Sequence, residues 1–135
     1  MICLDTNVVI AVLKRGPPHL IQRFERELAQ GTLAASSVVL FELRYGIADS
    51  VRQAENAERL AIFLQAPIEI LPFDQDDAQE AGEIRVQLKR GGTPIGPYDL
   101  LIAAQARRRG AKLVTANIQE FSRVPRLVVE DWLEA

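Results

Sequence analysis

Three acidic residues sit where their neighbours give no reason for a charge. Asp5 ends the apolar run Ile2-Cys3-Leu4, Glu42 lies inside Val38-Val39-Leu40-Phe41-Glu42-Leu43, and Asp99 opens the apolar stretch Leu100-Leu101-Ile102-Ala103-Ala104. Thr115-Ala116-Asn117 adds a polar turn after the run Leu113-Val114. A buried carboxylate costs several kcal/mol unless it is paired, hydrogen-bonded or bound to a metal. Three carboxylates converging in one crevice cannot all stay ionised without a cation. Oxygen donors without histidine or cysteine suit Mg²⁺ or Mn²⁺ rather than zinc. Such an ion keeps several waters and commonly serves phosphate chemistry, where it acidifies a water and offsets charge on the leaving oxygen. Phosphodiester hydrolysis is the reaction class that follows. Each acid also has a plain structural reading. Asp5 is a turn former or helix cap, Glu42 an ion-pair partner of Arg44 or a distant arginine, and Asp99 a favourable charge at a helix N-terminus, worth about 0.3–1 kcal/mol.

Other reactive residue types fall away. His19, after two prolines and far from any cysteine or second histidine, reads as a surface residue. Cys3 has no partner for a disulfide and apolar neighbours, so it is a small buried hydrophobe. Asp74, Asp76 and Asp77 lack the glycine and later glutamate of a calcium loop and read as helix capping. The breaker-rich loop over 91–97 lacks the lysine of a phosphate-binding loop.

The elements that must position the acids alternate along the chain. Strand 2–4 leads through a turn into a helix capped by Thr6 or Asn7 and ended at Lys14-Arg15-Gly16-Pro17. An amphipathic helix covers 18–29, with Leu20, Ile21, Phe24 and Leu28 inward and Gly31 as its stop. A strand over 33–35 ends in the cap Ser36-Ser37, and the helix 38–47 is so densely apolar that more than one of its faces should be buried. A helix over 49–66, a strand within 68–73 and a long helix to Arg90 follow, the last with Ala78, Ala81, Ile84 and Leu88 inward and Arg85 within reach of that stripe. Pro97 starts the Asp99 helix, strand 112–115 follows, 118–121 makes one helical turn, and 127–129 is the last strand with Trp132 as a lid. This alternation predicts an α/β three-layer αβα fold, with a central parallel sheet of four to five short strands covered on both faces. In such sheets ligands bind at the carboxyl ends of the strands, where Asp5 stands.

Composition agrees with one soluble domain over residues 1–135: 48% hydrophobic and 25% charged residues need neither disulfides nor a structural metal. A signal peptide and a bilayer-length apolar stretch are both missing, so the expected location is cytoplasmic, with no membrane partner. The net charge of −2 offers no global basic field, so a nucleic-acid substrate needs a local patch. Lys89, Arg90, Arg107, Arg108 and Lys112 are the candidates, each equally readable as an ordinary solvated helix end.

Five segments in order, Leu4-Asp5-Thr6-Asn7, Glu42-Leu43-Arg44-Tyr45-Gly46, Gly96-Pro97-Tyr98-Asp99, Leu113-Val114-Thr115 and Val129-Glu130-Asp131-Trp132, resemble a PIN-domain ribonuclease. Within that family the chain is most similar to VapC, the toxin of type II toxin–antitoxin pairs. The resemblance spans essentially the whole chain. It implies a Mg²⁺- or Mn²⁺-dependent endoribonuclease, usually a homodimer, held in check by a cognate antitoxin and directed at structured RNA, particularly tRNA. Asp5, Glu42 and Asp99 match the family's metal-binding acids, and Thr6 and Thr115 match supporting polar positions. Asn117 stands where many members place a fourth acid; its carbonyl can hold a water but brings no charge. Glu120, one turn later, can substitute, and chemistry with a single metal ion is expected. Two other classes compete. A receiver-like phosphoacceptor domain would need a lysine after a late strand, whereas Lys112 precedes its strand. A binding module of the same fold without chemistry would not need all three acids.

Overall fold

The computed structural model describes residues 1–134. Strand and helix alternate as β1 (Ile2–Leu4), α1 (Thr6–Leu13), α2 (Pro18–Gln30), β2 (Leu33–Ser36), α3 (Ser37–Ala48), α4 (Gln53–Leu64), β3 (Glu69–Leu71), α5 (Gln75–Arg90), α6 (Pro97–Arg108), β4 (Lys112–Val114), α7 (Ile118–Phe121) and β5 (Val128–Glu130). The strands form one all-parallel sheet in the order β3-β2-β1-β4-β5, in register at Ile2–Leu33, Ile2–Lys112, Ala34–Glu69 and Lys112–Val128. The chain steps from β1 to β2 to β3 in one direction, returns across the sheet to β4, and continues to β5. Right-handed crossovers therefore put α1 to α4 on one face and α5 to α7 on the other. Leu4, Leu113 and Val114 from the central strands are fully buried, as are Val8, Val9 and Val39 from one layer and Ile102 and Phe121 from the other.

Several local expectations are corrected. The cap of α1 is Asp5 rather than Thr6 or Asn7: its Oδ1 accepts the Thr6 N–H at 2.8 Å. Helix α4 starts at Gln53, not at 49, because the preceding turn is closed by Ser50 Oγ donating to the Ile47 carbonyl at 2.7 Å. Helix α3 buries Val39 and Leu43 but leaves Phe41 50% and Tyr45 64% exposed, so its apolar density is not all core. His19 ties the C-terminal segment down, its Nε2 lying 2.8 Å from the Leu133 carbonyl oxygen. Trp132 is buried beneath the Arg23 guanidinium, which lies 5.0 Å from its ring centre.

Asp77 is the least foreseen core residue. The inner stripe of α5 is Asp77, Ala81, Ile84 and Leu88, with Ala78 turned to solvent and Arg85 exposed rather than reaching inward. Asp77 completes a capping box with Asp74 and is at the same time fully buried. Arg108 and Arg109 donate to its Oδ1 at 2.7 and 2.8 Å, and Gln105 Nε2 donates to its Oδ2 at 3.1 Å. The hairpin of α5 and α6 is thereby locked at one end, which fixes the other end, where Asp99 begins its helix.

Candidate active site

Strand order places the site. β1 leads to β2 on one side while β4 flanks it on the other, so the two connections diverge and open a crevice above β1 and β4. Asp5 follows β1 and Thr115 follows β4 at this crevice. Thr115 Oγ1 donates to Asp5 Oδ2 at 2.7 Å, joining residues 110 apart in sequence. With Oδ1 bound to the Thr6 N–H, both oxygens of the buried Asp5 are oriented. Burial pushes its carboxyl pKa up, the two hydrogen bonds oppose this, and the charges of Glu42 and Glu120 push it further up.

Glu42, in the second turn of α3, is half-buried, and its Oε1 accepts from Thr6 Oγ1 at 2.7 Å. The ion pair with Arg44 considered from sequence does not form; Arg44 is exposed. Thr6 thus couples two acids, its backbone holding Asp5 and its hydroxyl holding Glu42.

Asp99, in the first turn of α6, meets Glu120 of α7. The Asp99 carboxyl is pushed up from 3.8 to about 7, by burial first, then by the charge of Glu120 and a hydrogen bond shared with it, and then by Asp5 and Glu42. Glu120 moves the opposite way. The Gly96 N–H donates to its Oε1 at 2.8 Å, Asn117 Nδ2 donates to its Oε2, and the bond with Asp99 adds to these. Within the pair, the surroundings push Asp99 toward its neutral form and Glu120 toward its charged form. Asn117 is placed by its own N–H, which donates to Thr115 Oγ1 at 3.0 Å. Its side chain is thereby turned to Glu120.

Gly96 is a site residue that sequence reasoning passed over as one breaker among several. A Cβ there would fall 3.1 Å from Asp99 Oδ2 and 3.6 Å from Glu120 Oε1, so a larger residue would press on the Asp99 carboxylate and make it shift by a few tenths of an ångström. Its sequence signal was the position one residue before Pro97 and three before an isolated acid.

The donor set fits a hard divalent cation. Acids from four connections crowd one crevice, and two of them, Asp5 and Asp99, are driven toward their neutral forms by burial and by the charges of neighbouring acids, Glu42 and Glu120 among them. A cation would relieve that strain. Among the described residues no three such side chains are close enough together to form a ready ligand cage.

The basic residues divide. Lys89 and Arg90 are exposed at the end of α5, beside the loop that leads to Asp99. Arg107, Arg108 and Lys112 are not a free surface. Arg107 is buried with its Nε 2.6 Å from Glu80, Arg108 is held by Asp77 and Asp74, and Lys112 lies 2.7 Å from Glu130 at the opposite end of β4 from Thr115. Cations that fold the α5–α6 hairpin and the sheet edge are spent on those tasks.

Residues 2–127 match the sequence model of the PIN domain. Among curated relatives, the tRNA(fMet)-specific endonuclease VapC of Salmonella typhimurium is 40% identical over 129 residues, and that of Shigella flexneri 42%, each pairing covering 96% of both chains. Among solved structures, VapBC2 from Rickettsia felis bound to a promoter DNA fragment superposes with a TM-score of 0.91 at 39% identity, covering 98% of this chain and 99% of the other. DNA-bound VapBC from Salmonella typhimurium gives 0.90 at 39% identity, covering 97% of each.

Proposed function

This chain belongs to the PIN-domain family, and from that premise we propose that it is a VapC-type endoribonuclease, the toxin of a toxin–antitoxin pair. The observation that carries the reading is the convergence of Asp5, Glu42, Asp99 and Glu120 from four separate connections onto the crevice above β1 and β4. Asp5, Glu42 and Asp99 are the residues assigned to the metal, with Glu120 as the fourth acid in place of Asn117. Mg²⁺ or Mn²⁺ is the assigned cofactor, and one ion suffices. When bound, the ion supplies Lewis acidity, acidifying a water and offsetting charge that builds on the phosphate.

The chain's own residues do the rest. Thr115 and Thr6 hold Asp5 and Glu42 so that little reorganisation is needed at the reacting phosphate. A cation held there would favour the charged form of Asp99, whose carboxyl is otherwise pushed toward its neutral form. Asn117 and the Gly96 N–H keep Glu120 turned toward Asp99. The substrate assigned is structured RNA of the tRNA(fMet) kind on which the named relatives act. The partner assigned is an antitoxin protein, with a second copy of the chain completing a homodimer. An apolar trough between α1, α2 and α4, lined by Val12, Phe24, Ile62 and Phe63, continues past Leu13 and Arg59 to Glu42. An inhibitory segment laid along it reaches the acids. Among the described residues no helix is long and apolar enough to cross a membrane.

The test is cleavage of tRNA(fMet) with Mg²⁺ by the wild type and Asp5→Asn. Cleavage that chelator or Asp5→Asn abolishes supports the reading. Cleavage surviving Asp5→Asn removes the metal mechanism, and RNA binding without cleavage by the wild type makes the chain a binding module.

A further inference from the structure

Helix α6 begins without the cap that its sequence allows. Its N-cap is Gly96, and Pro97, Tyr98 and Asp99 follow as its first three residues, so an acid stands at the third helical position. In a capping box that acid turns back to accept the N–H of the N-cap residue. Helix α5 does this: Asp77, its third residue, accepts the Asp74 N–H at 3.0 Å. In α6 the corresponding N–H goes elsewhere, from Gly96 to Glu120 Oε1 of α7 at 2.8 Å. Asp99 lies close enough to compete for it, since a Cβ on Gly96 would fall 3.1 Å from Asp99 Oδ2. A second bond holds α7 against this loop. Arg123 Nη1 donates to the Pro94 carbonyl at 3.0 Å, and the Arg123 N–H donates to the Glu120 carbonyl at 3.1 Å. Arg123 and Glu120 thus share one turn, and together they fasten residues 94 and 96 to it.

We propose that Arg123 is a positioning residue of the site: its bond to Pro94 holds the loop so that Glu120, not Asp99, takes the Gly96 N–H, and the Asp99 carboxylate stays available to a cation. The inference rests on the metal-dependent ribonuclease reading and deepens it. Without the clamp the loop lifts from α7, and Asp99 caps its own helix as Asp77 does. A carboxylate engaged with a backbone N–H has one oxygen fewer for a metal. The charge of Arg123 works in the other direction. Arg123 is exposed and forms no ion pair among the described residues. Its charge adds to the Gly96 N–H, the largest cause, in holding the Glu120 carboxyl down. A positive charge beside the acids repels a dication, so its removal alone would tighten metal binding. Clamp and charge therefore act on metal affinity with opposite signs.

The experiment measures Mn²⁺ binding by calorimetry without RNA, tRNA(fMet) binding in chelator, and thermal unfolding in chelator, for the wild type, Arg123→Met and Arg123→Lys. Methionine keeps an apolar stem and removes donor and charge; lysine keeps the charge and a donor for the Pro94 carbonyl. The expected result is a Kd for Mn²⁺ raised about tenfold by methionine, the low end for losing a group that orients a ligand, and largely recovered by lysine. RNA affinity in chelator stays that of the wild type, because the clamp donates to protein and not to phosphate. The melting temperature also stays, because Arg123 lies on the surface. A Kd for Mn²⁺ in Arg123→Met equal to or below that of the wild type overturns the clamp. So does a lysine variant no better than the methionine one, or a loss of affinity that comes with a lower melting temperature. Weakened RNA binding in chelator with unchanged Mn²⁺ binding also overturns it and makes Arg123 a phosphate contact. A wild type that binds no Mn²⁺ overturns the metal reading itself.

Discussion

Replacing Asp99 by asparagine should stabilise the metal-free protein while destroying its site, and the size of the gain follows from the crowding of the acids. Burial and the charges of Glu120, Asp5 and Glu42 lift the Asp99 carboxyl from 3.8 to about 7. At about 1.4 kcal/mol per unit, that gap would cost a fully enclosed group about 4 kcal/mol. Asp99 is only half-buried, and water screening reduces the expected cost to about 2 kcal/mol. The sign is set by proton binding. Between about pH 4 and 7 the folded chain holds a proton that the unfolded chain has lost, so stability falls as pH rises through that window, and the penalty is complete above about 7. The advantage of Asp99→Asn over wild type should therefore be small at pH 4–5 and about 2 kcal/mol at pH 8, roughly 6 °C in melting temperature for a chain of this size. The asparagine amide can still donate to Glu120, so no hydrogen bond is lost. The assay is thermal or urea unfolding in chelator at several pH values. Saturating Mg²⁺, at about a hundredfold above its Kd, should add about 2.7 kcal/mol to the wild type and much less to the mutant, reversing their order. Equal stability of the two proteins at pH 8 in chelator would refute the idea that these carboxylates strain the fold.

Three further outcomes are expected. Thr115→Val removes the 2.7 Å bond to Asp5 Oδ2 and should weaken Mn²⁺ binding about 10–100-fold in calorimetry. Asp77→Ala leaves Arg108 and Arg109 without their buried partner and should cost about 3–5 kcal/mol in urea unfolding. Burial would raise the Asp77 carboxyl, but Arg109, the Asp74 backbone N–H, Arg108 and Gln105 hold it well below the ordinary range. Its contribution is thus complete above about pH 4 and lost below it, an acid sensitivity the mutant should lack. The Cys3 thiol, pushed up to about 11 by burial, should stay unmodified by a disulfide reagent until the protein unfolds.

The sequence by itself determined the alternation of elements and the identity of the acids. Periodicity marks which residues of a segment share a face, and breakers such as Gly31 and Pro97 mark where segments end or begin. Asp5, Glu42 and Asp99 were legible because a charge inside an apolar run costs energy wherever the chain goes. Only the tertiary structure decided what those residues meet. Asp77 reads as a cap in one dimension, and the packing of α6 turned the same carboxylate into the core anchor of two arginines. Arg107 and Lys112 read as solvated charges, and their partners Glu80 and Glu130 lie on elements whose proximity no local pattern encodes. The apolar density of α3 predicted burial, yet Phe41 and Tyr45 face outward, because periodicity names a face without saying what covers it. The bond from Thr115 to Asp5 exists only because β4 lies beside β1. Strand order is a long-range choice, made by the burial of all layers together and not by either strand's residues.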